Sequence, residues 1–185
     1  MKTRILDYHV PDVLLLEGVS YSDPRGRFLE SWNEAACQDT QLPHHWPQDN
    51  VSHSHHGVLR GLHIQRRNPQ GKLVRCLVGS IYDVAVDLRP DSPTRGRWVG
   101  TVLSDRSVET ALWVPPGFAH GFQVISRDAV VLYKCSTLYD KDSDGGVCWK
   151  DPALAITWPE PEKAIVSAKD SALPSLKDYL LRSSA

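Results

Sequence analysis

Apolar residues fall in short runs along this chain, and several of the runs alternate apolar with polar positions, the period of a strand with one covered face. Arg27-Phe28-Leu29-Glu30-Ser31-Trp32 mixes apolar and polar positions in the manner of a strand, and Ile81 to Leu88 alternates in part. Lys72 to Val78 reads as a strand, and the tight turn Gly79-Ser80 between it and Ile81 to Leu88 predicts a hairpin. Further strands are expected at Trp98 to Leu103, Thr110 to Val114, Gly121 to Ser126 and Ala129 to Thr137, with Arg89 to Arg97 as a loop carrying two prolines and a glycine. Val10 to Leu16 is apolar with Pro11 near its start, which suits an edge strand because proline cannot donate to the ladder. Asp23-Pro24-Arg25-Gly26 reads as a turn, Asn33 to Cys37 as a short helix capped by Asn33, and Leu42 to Pro47 as loop.

Many short strands without helical periodicity between them indicate an all-β antiparallel sandwich or barrel. From Asp140 the pattern changes. Asp140 to Gly146 is a polar loop, and Trp149, Pro152, Trp158 and Pro159 mark an irregular segment lying across the barrel. Ser175 to Leu181 suits a short terminal helix. No repeat or linker composition divides the chain, so residues 1–185 are expected as a single domain, with 140–185 a partly irregular C-terminal segment.

Composition supports a packed core: of 185 residues, 41% are hydrophobic and 23% charged. A formal net charge of −1 gives no general attraction to nucleic acid or anionic membrane, so an acidic ligand would need a local group of cations. Cys37, Cys76, Cys135 and Cys148 form no Cys-x-x-Cys spacing and read as reduced thiols. The residues after Met1 lack the apolar stretch of a signal peptide, and no run reaches bilayer length, so a soluble, cytoplasmic protein is expected.

Candidate chemistry centres on Gly57-Val58-Leu59-Arg60-Gly61-Leu62-His63-Ile64-Gln65 and Gln70-Gly71-Lys72-Leu73-Val74-Arg75, which set an imidazole and an ammonium nine residues apart in sheet-like surroundings. A second histidine follows in Pro115-Pro116-Gly117-Phe118-Ala119-His120. Pro-x-Gly-x-x-His resembles the second motif of the cupins, the jelly-roll or double-stranded β-helix family, many of which bind a metal there. The first cupin metal motif needs His-x-His and a following carboxylate, whereas here the chain reads His63-Ile64-Gln65. Two imidazoles are a poor ligand set for a transition metal, so no metal is expected. His53-x-His55-His56 has ligand-like spacing but reads as an exposed polar loop without a third ligand, as does His44-His45. His63, Lys72, His120 and Tyr133 remain. A core imidazole and a packing tyrosine are the plain readings of His63 and Tyr133, but a lysine inside a barrel calls for an anion to meet it.

Those segments, with Asp83-Val84-Ala85-Val86-Asp87-Leu88-Arg89, Tyr133-Lys134 and Trp149-Lys150-Asp151-Pro152, together resemble the motif series of the dTDP-4-dehydrorhamnose 3,5-epimerases, a cupin-like family, from about Val13 to Asp170. The resemblance implies a cupin-type jelly-roll barrel with short peripheral helices. It also implies cofactor-independent inversion at C3 and C5 of a dTDP-linked 4-keto-6-deoxyhexose. His63 matches the family's base and Asp170 its carboxylate partner, Tyr133 the proton donor, and Lys72 the cation for the enolate oxygen. Arg25, Glu30, Gln48, Asn50, Arg60, His120, Tyr139, Asp144 and Lys169 match positions that hold the nucleotide or sugar, although each taken singly suits a solvated surface equally well. The family also implies a homodimer with crossing N-terminal strands. Ile64, Leu138-Tyr139-Asp140-Lys141 and Asp144 depart from the usual pattern and bear on the exact sugar and on whether both carbons are inverted. A 3-epimerase of a related dTDP-4-keto-6-deoxyhexose, a metal-dependent cupin oxygenase or isomerase using His63 and His120, and a non-catalytic sugar-nucleotide-binding module are the competing readings.

Overall fold

The computed structural model describes residues 2–7, 9–37 and 40–183; the other positions of the expected single domain lie outside the described residues. Thirteen strands and two short α-helices are present among them: β1 (Lys2–Ile5), β2 (Leu14–Glu17), β3 (Ser20–Asp23), β4 (Gly26–Leu29), β5 (Gln48–His55), β6 (Leu59–Gln65), β7 (Lys72–Val78), β8 (Ser80–Asp87), β9 (Trp98–Ser104), β10 (Thr110–Val114), β11 (Phe118–Val124), β12 (Asp128–Cys135), β13 (Asp144–Gly146), α1 (Ala168–Ser171) and α2 (Leu176–Ser183). One sheet runs β1-β2-β10-β7-β12-β5 and the other β13-β6-β11-β8-β9, all neighbours antiparallel, while β3 and β4 form a separate hairpin. The all-β architecture with peripheral helices follows the sequence pattern.

Alternation places Val74, Cys76, Leu112, Val114, Ala129 and Val131 of the first sheet against Ile81, Ala85, Phe118 and Phe122 of the second in one interior core. The second sheet's other face is covered by the C-terminal segment, where Val147, Trp149, Leu154, Trp158 and Tyr179 pack on Leu59, Leu62, Val84 and Val86. Strand β8 is thereby covered on both sides, which is why its apolar run is nearly continuous. The first sheet's outer face is covered only in part: Cys37, Leu42, Trp32 and Trp46 pack on Leu14, Leu16, Leu73 and Trp113. Fully burying one such side chain contributes about 1.5–3 kcal/mol.

Several local expectations are corrected. Strands β7 and β8 do not pair; the turn at Gly79 carries the chain from one sheet into the other. Gly79 has φ +77°, and a Cβ there would stand 1.9 Å from the Asp128 carbonyl oxygen, so the crossing demands glycine. Strand β2 is not an edge, because β1 pairs along its outer side. Gln48–His55, expected in part as a histidine loop, is the edge strand β5, and the polar 140–146 stretch ends in β13. The helix expected at Asn33 to Cys37 shrinks to a single 3₁₀ turn at Ala35–Cys37. Among the described residues, no helix is long and apolar enough to cross a membrane.

Candidate active site

A cavity of about 230 Å³ opens between the two sheets, lined by Asn50, Ser52, Lys72, Tyr133 and Cys135 from the first and by Arg60, His63, His120 and Phe122 from the second. Arg60 and His63 are three residues apart, so in a regular strand they would face opposite ways. A bulge resolves this: His63 pairs with His120 and Arg60 with Phe122, leaving one extra residue on β6. Gly61 stands in it with φ +125°, and a Cβ would come within 2.6 Å of Gly121 Cα. Both side chains consequently enter the cavity.

Behind His63, α1 supplies the carboxylate. Ser167 caps this helix by accepting from the Asp170 amide at 3.0 Å. Asp170 Oδ1 lies 2.7 Å from His63 Nε2, and its Oδ2 accepts from the Gly61 amide at 3.1 Å. Burial alone would raise this carboxyl, but the hydrogen bond and charge of His63, with the Gly61 amide and Ser167, outweigh it and hold its pKa below the ordinary value. An ionised Asp170 fixes the ring's tautomer and leaves Nδ1 as the nitrogen that can accept a proton.

The facing wall carries different chemistry. Tyr133 Oη is 2.7 Å from Ser52 Oγ, and burial, opposed by that bond, pushes the phenol up to about 12. It therefore remains protonated, and a possible donor, at neutral pH. Lys72 has no ion pair among the described residues. Burial lowers the ammonium's pKa against the opposing pull of Cys135, Asp144 and Asp83. A partly buried cation left without a salt bridge is best completed by an anion or a developing negative charge.

His120 is held by Asp83, whose Oδ1 lies 2.5 Å from Nε2. Asp83 is fully buried, and its Oδ2 finds no hydrogen-bond partner among the described residues. Arg60 donates from Nε to Ser54 Oγ at 3.0 Å, and Asn50 accepts from Gln48 Nε2 at 3.0 Å. Gln48 Oε1 in turn accepts from the Tyr139 amide at 2.8 Å. Tyr139 donates to Asp144 Oδ2 at 2.7 Å, and Lys169, next to Asp170, pairs with the same oxygen. Asp144 lies opposite Gln65 on β6, two residues beyond His63, so this trio, with Tyr139 and Lys169 exposed and the Asp144 side chain largely covered, flanks the His63–Asp170 pair.

Of the expected site residues, Asp170, Gln48, Tyr139, Asp144 and Lys169 do not line the cavity but connect to its lining through these hydrogen bonds, and two more lie apart from it within this chain. Arg25 is paired with Asp23 at 2.6 Å at the tip of the β3–β4 hairpin, where it lines a separate cavity of about 430 Å³. Glu30, just beyond β4, is exposed. Conversely, sequence reasoning passed over Ser52, Ser54, Asp83 and Cys135. Asp83 carries a visible signal, a carboxylate inside an apolar strand, whereas the serines alternate with polar residues along β5 and carry none.

The sequence model of the dTDP-4-dehydrorhamnose 3,5-epimerases matches residues 7–178. The dTDP-4-dehydrorhamnose 3,5-epimerase of Salmonella typhimurium is 48% identical over 174 residues, covering 93% of this chain and 94% of that protein. The crystal structure of a dTDP-6-deoxy-D-glucose-3,5-epimerase from Legionella pneumophila, in complex with dTDP-4-keto-L-rhamnose, is 41% identical with a TM-score of 0.88 and covers 95% of this chain and 94% of its own. A 3'-monoepimerase from Streptomyces bikiniensis, in complex with dTDP-quinovose, is 33% identical with a TM-score of 0.83 over 90% of this chain and 85% of its own.

Proposed function

The chain belongs to the dTDP-4-dehydrorhamnose 3,5-epimerase family, and on that premise we propose that it inverts C3 and C5 of dTDP-4-dehydro-6-deoxy-D-glucose in the cavity between its sheets. The observation that carries this reading is the placement of His63–Asp170 on one wall and Tyr133 with Lys72 on the other. A sugar ring between the walls presents one face to a base and the opposite face to an acid. Inversion requires that arrangement.

His63 Nδ1 removes the proton α to the C4 ketone, and the C–H electron pair passes into the enolate with its charge on the C4 oxygen. Asp170 holds the imidazolium that forms. Lys72 meets the enolate oxygen, and stabilisation of that kind is often the largest catalytic term. Tyr133 then delivers a proton to the same carbon from the other face. The ketone is the electron sink, so this chemistry calls for no cofactor.

His120, fixed by Asp83, together with Arg60 and Asn50, holds the sugar and the adjoining phosphates, arginine suiting a diphosphate through its planar fork. Tyr139, Asp144, Lys169 and Gln48 form the mouth on the nucleotide side. Arg25 and Glu30, remote in their own chain, serve the cavity of a second copy, so the active form is a homodimer that exchanges its β3–β4 hairpins. Several observations favour this chemistry over the metal-dependent alternative. Nε2 of His63 and of His120 each meets its own carboxylate, and neither ring belongs to a three-ligand group among the described residues.

Incubation with dTDP-4-dehydro-6-deoxy-D-glucose in D2O should place deuterium at both C3 and C5. Label at C3 alone would assign the chain to the single-centre epimerases, and no label at either carbon would overturn the proposal.

A further inference from the structure

The outer face of β5 and β12 carries a cluster that the cavity does not use. His53 and His55 are two residues apart on β5, so both project from the face opposite Ser52 and Ser54. Asp128 lies directly across from His55 in the antiparallel register. His55 Nδ1 stands 2.6 Å from Asp128 Oδ1, and His53 Nε2 stands 3.9 Å from the same oxygen. The three donor atoms all lie within 4.8 Å of one another. Around a tetrahedral ion with bonds of about 2.0–2.1 Å, neighbouring ligand atoms stand about 3.3 Å apart. The two observed separations bracket that spacing, so small side-chain rotations would close the set while the ladder keeps the backbone in place.

The surroundings fit such a site. The segment that covers Leu73 and Trp113 does not reach this part of the sheet, and the side chains of His53, His55 and Asp128 are 62%, 80% and 35% exposed. Water can therefore complete the coordination. Arg127 Nε, 3.6 Å from Asp128 Oδ2, is 98% exposed and competes weakly, since surface ion pairs contribute little. His56 turns away, to Ser126 and Glu160. Two neutral imidazoles and one carboxylate suit a borderline first-row cation better than magnesium or calcium.

We propose that His53, His55 and Asp128 form a surface site for a divalent cation of the zinc type that clips edge strand β5 to β12. The proton on His55 Nδ1 moves to Nε2, and the ion takes its place beside the carboxylate. The consequence reaches inward through alternation. Ser52 and Ser54, interleaved with the two histidines, hold Tyr133 and Arg60, so the clip stiffens the strand that positions two cavity groups without itself touching substrate.

Full-length protein stripped with chelator and titrated with zinc chloride should take up one ion per chain by calorimetry. Its Tm should rise by roughly 5–10 °C at a hundredfold excess over Kd. His55→Ala and Asp128→Ala should each abolish uptake and the Tm rise while melting like the parent in EDTA. A His44→Ala/His45→Ala double variant should bind as the parent does. The proposal fails if millimolar zinc produces neither heat nor a Tm rise, if a His55→Ala protein of parental EDTA stability still takes up one ion, or if the double variant loses it.

Discussion

Two histidine–aspartate pairs face one cavity, and they differ in how much water reaches them. In His63–Asp170 the imidazole side chain is 32% exposed and the carboxylate 5%; in His120–Asp83 the figures are 5% and 0%. Both rings use Nε2 toward their carboxylate. The half-open ring can pass a proton to and from a ligand, whereas the enclosed ring is pinned and offers a fixed hydrogen bond. Under the proposed function, pairs of one chemistry take two roles, a proton carrier on β6 and a rigid positioning group on β11, with solvent access making the difference.

The most direct way to break this comparison is to remove each ring. His63→Ala should lower kcat by about 10²–10⁴-fold, the usual contribution of a positioned general base, with the circular dichroism spectrum retained. His120→Ala should act chiefly on KM. Steady-state epimerisation kinetics check this, and equal kcat losses would erase the distinction.

The carboxylates should separate by stability. Asp83→Ala leaves His120 unpartnered in the interior and should cost about 3–5 kcal/mol, as breaking a buried pair does. Asp170→Ala should cost visibly less, because the ring it abandons can meet water. Urea unfolding of both variants measures the gap, and equal losses would contradict the assignment of one pair to structure.

The smallest effect is in the pH profile. Asp170 has its folded pKa depressed below the ordinary 3.8. Its contribution to stability is therefore fully present above that value and is lost as pH falls through the lower, folded value. Acid unfolding of the parent should accordingly steepen below about pH 4, and Asp170→Asn should flatten that limb. An unchanged acid limb in the variant would show that His63 does not hold this carboxylate ionised.

Much of the cavity was legible from the sequence. His63, Lys72, His120 and Tyr133 each stand on a strand whose pattern was readable, and all four line the cavity. What escaped were features set by three-dimensional crossings. The turn at Gly79 looks like a hairpin turn, yet it moves the chain between sheets, and a local glycine signal is the same in either case. The polar stretch Gln48–His55 hid a strand because its inward positions carry serines and amides that face a cavity rather than a core. Reading His53 and His55 as loop also concealed Asp128, which is 73 residues beyond His55 in the chain and 2.6 Å away in space.

The sequence by itself determined the all-β class, the strand-borne acid, base and cation candidates, and the glycines that mark the turns, because alternation and backbone freedom are local properties. Only the tertiary structure decided that a bulge at Gly61 turns Arg60 and His63 to one side, that Asp83 pins His120, and that Arg25 and Glu30 lie away from the cavity of their own chain. Those outcomes depend on register and on which sheet a strand joins. Both are fixed by contacts between residues far apart in the chain, where the spacing of residues along one strand carries no information.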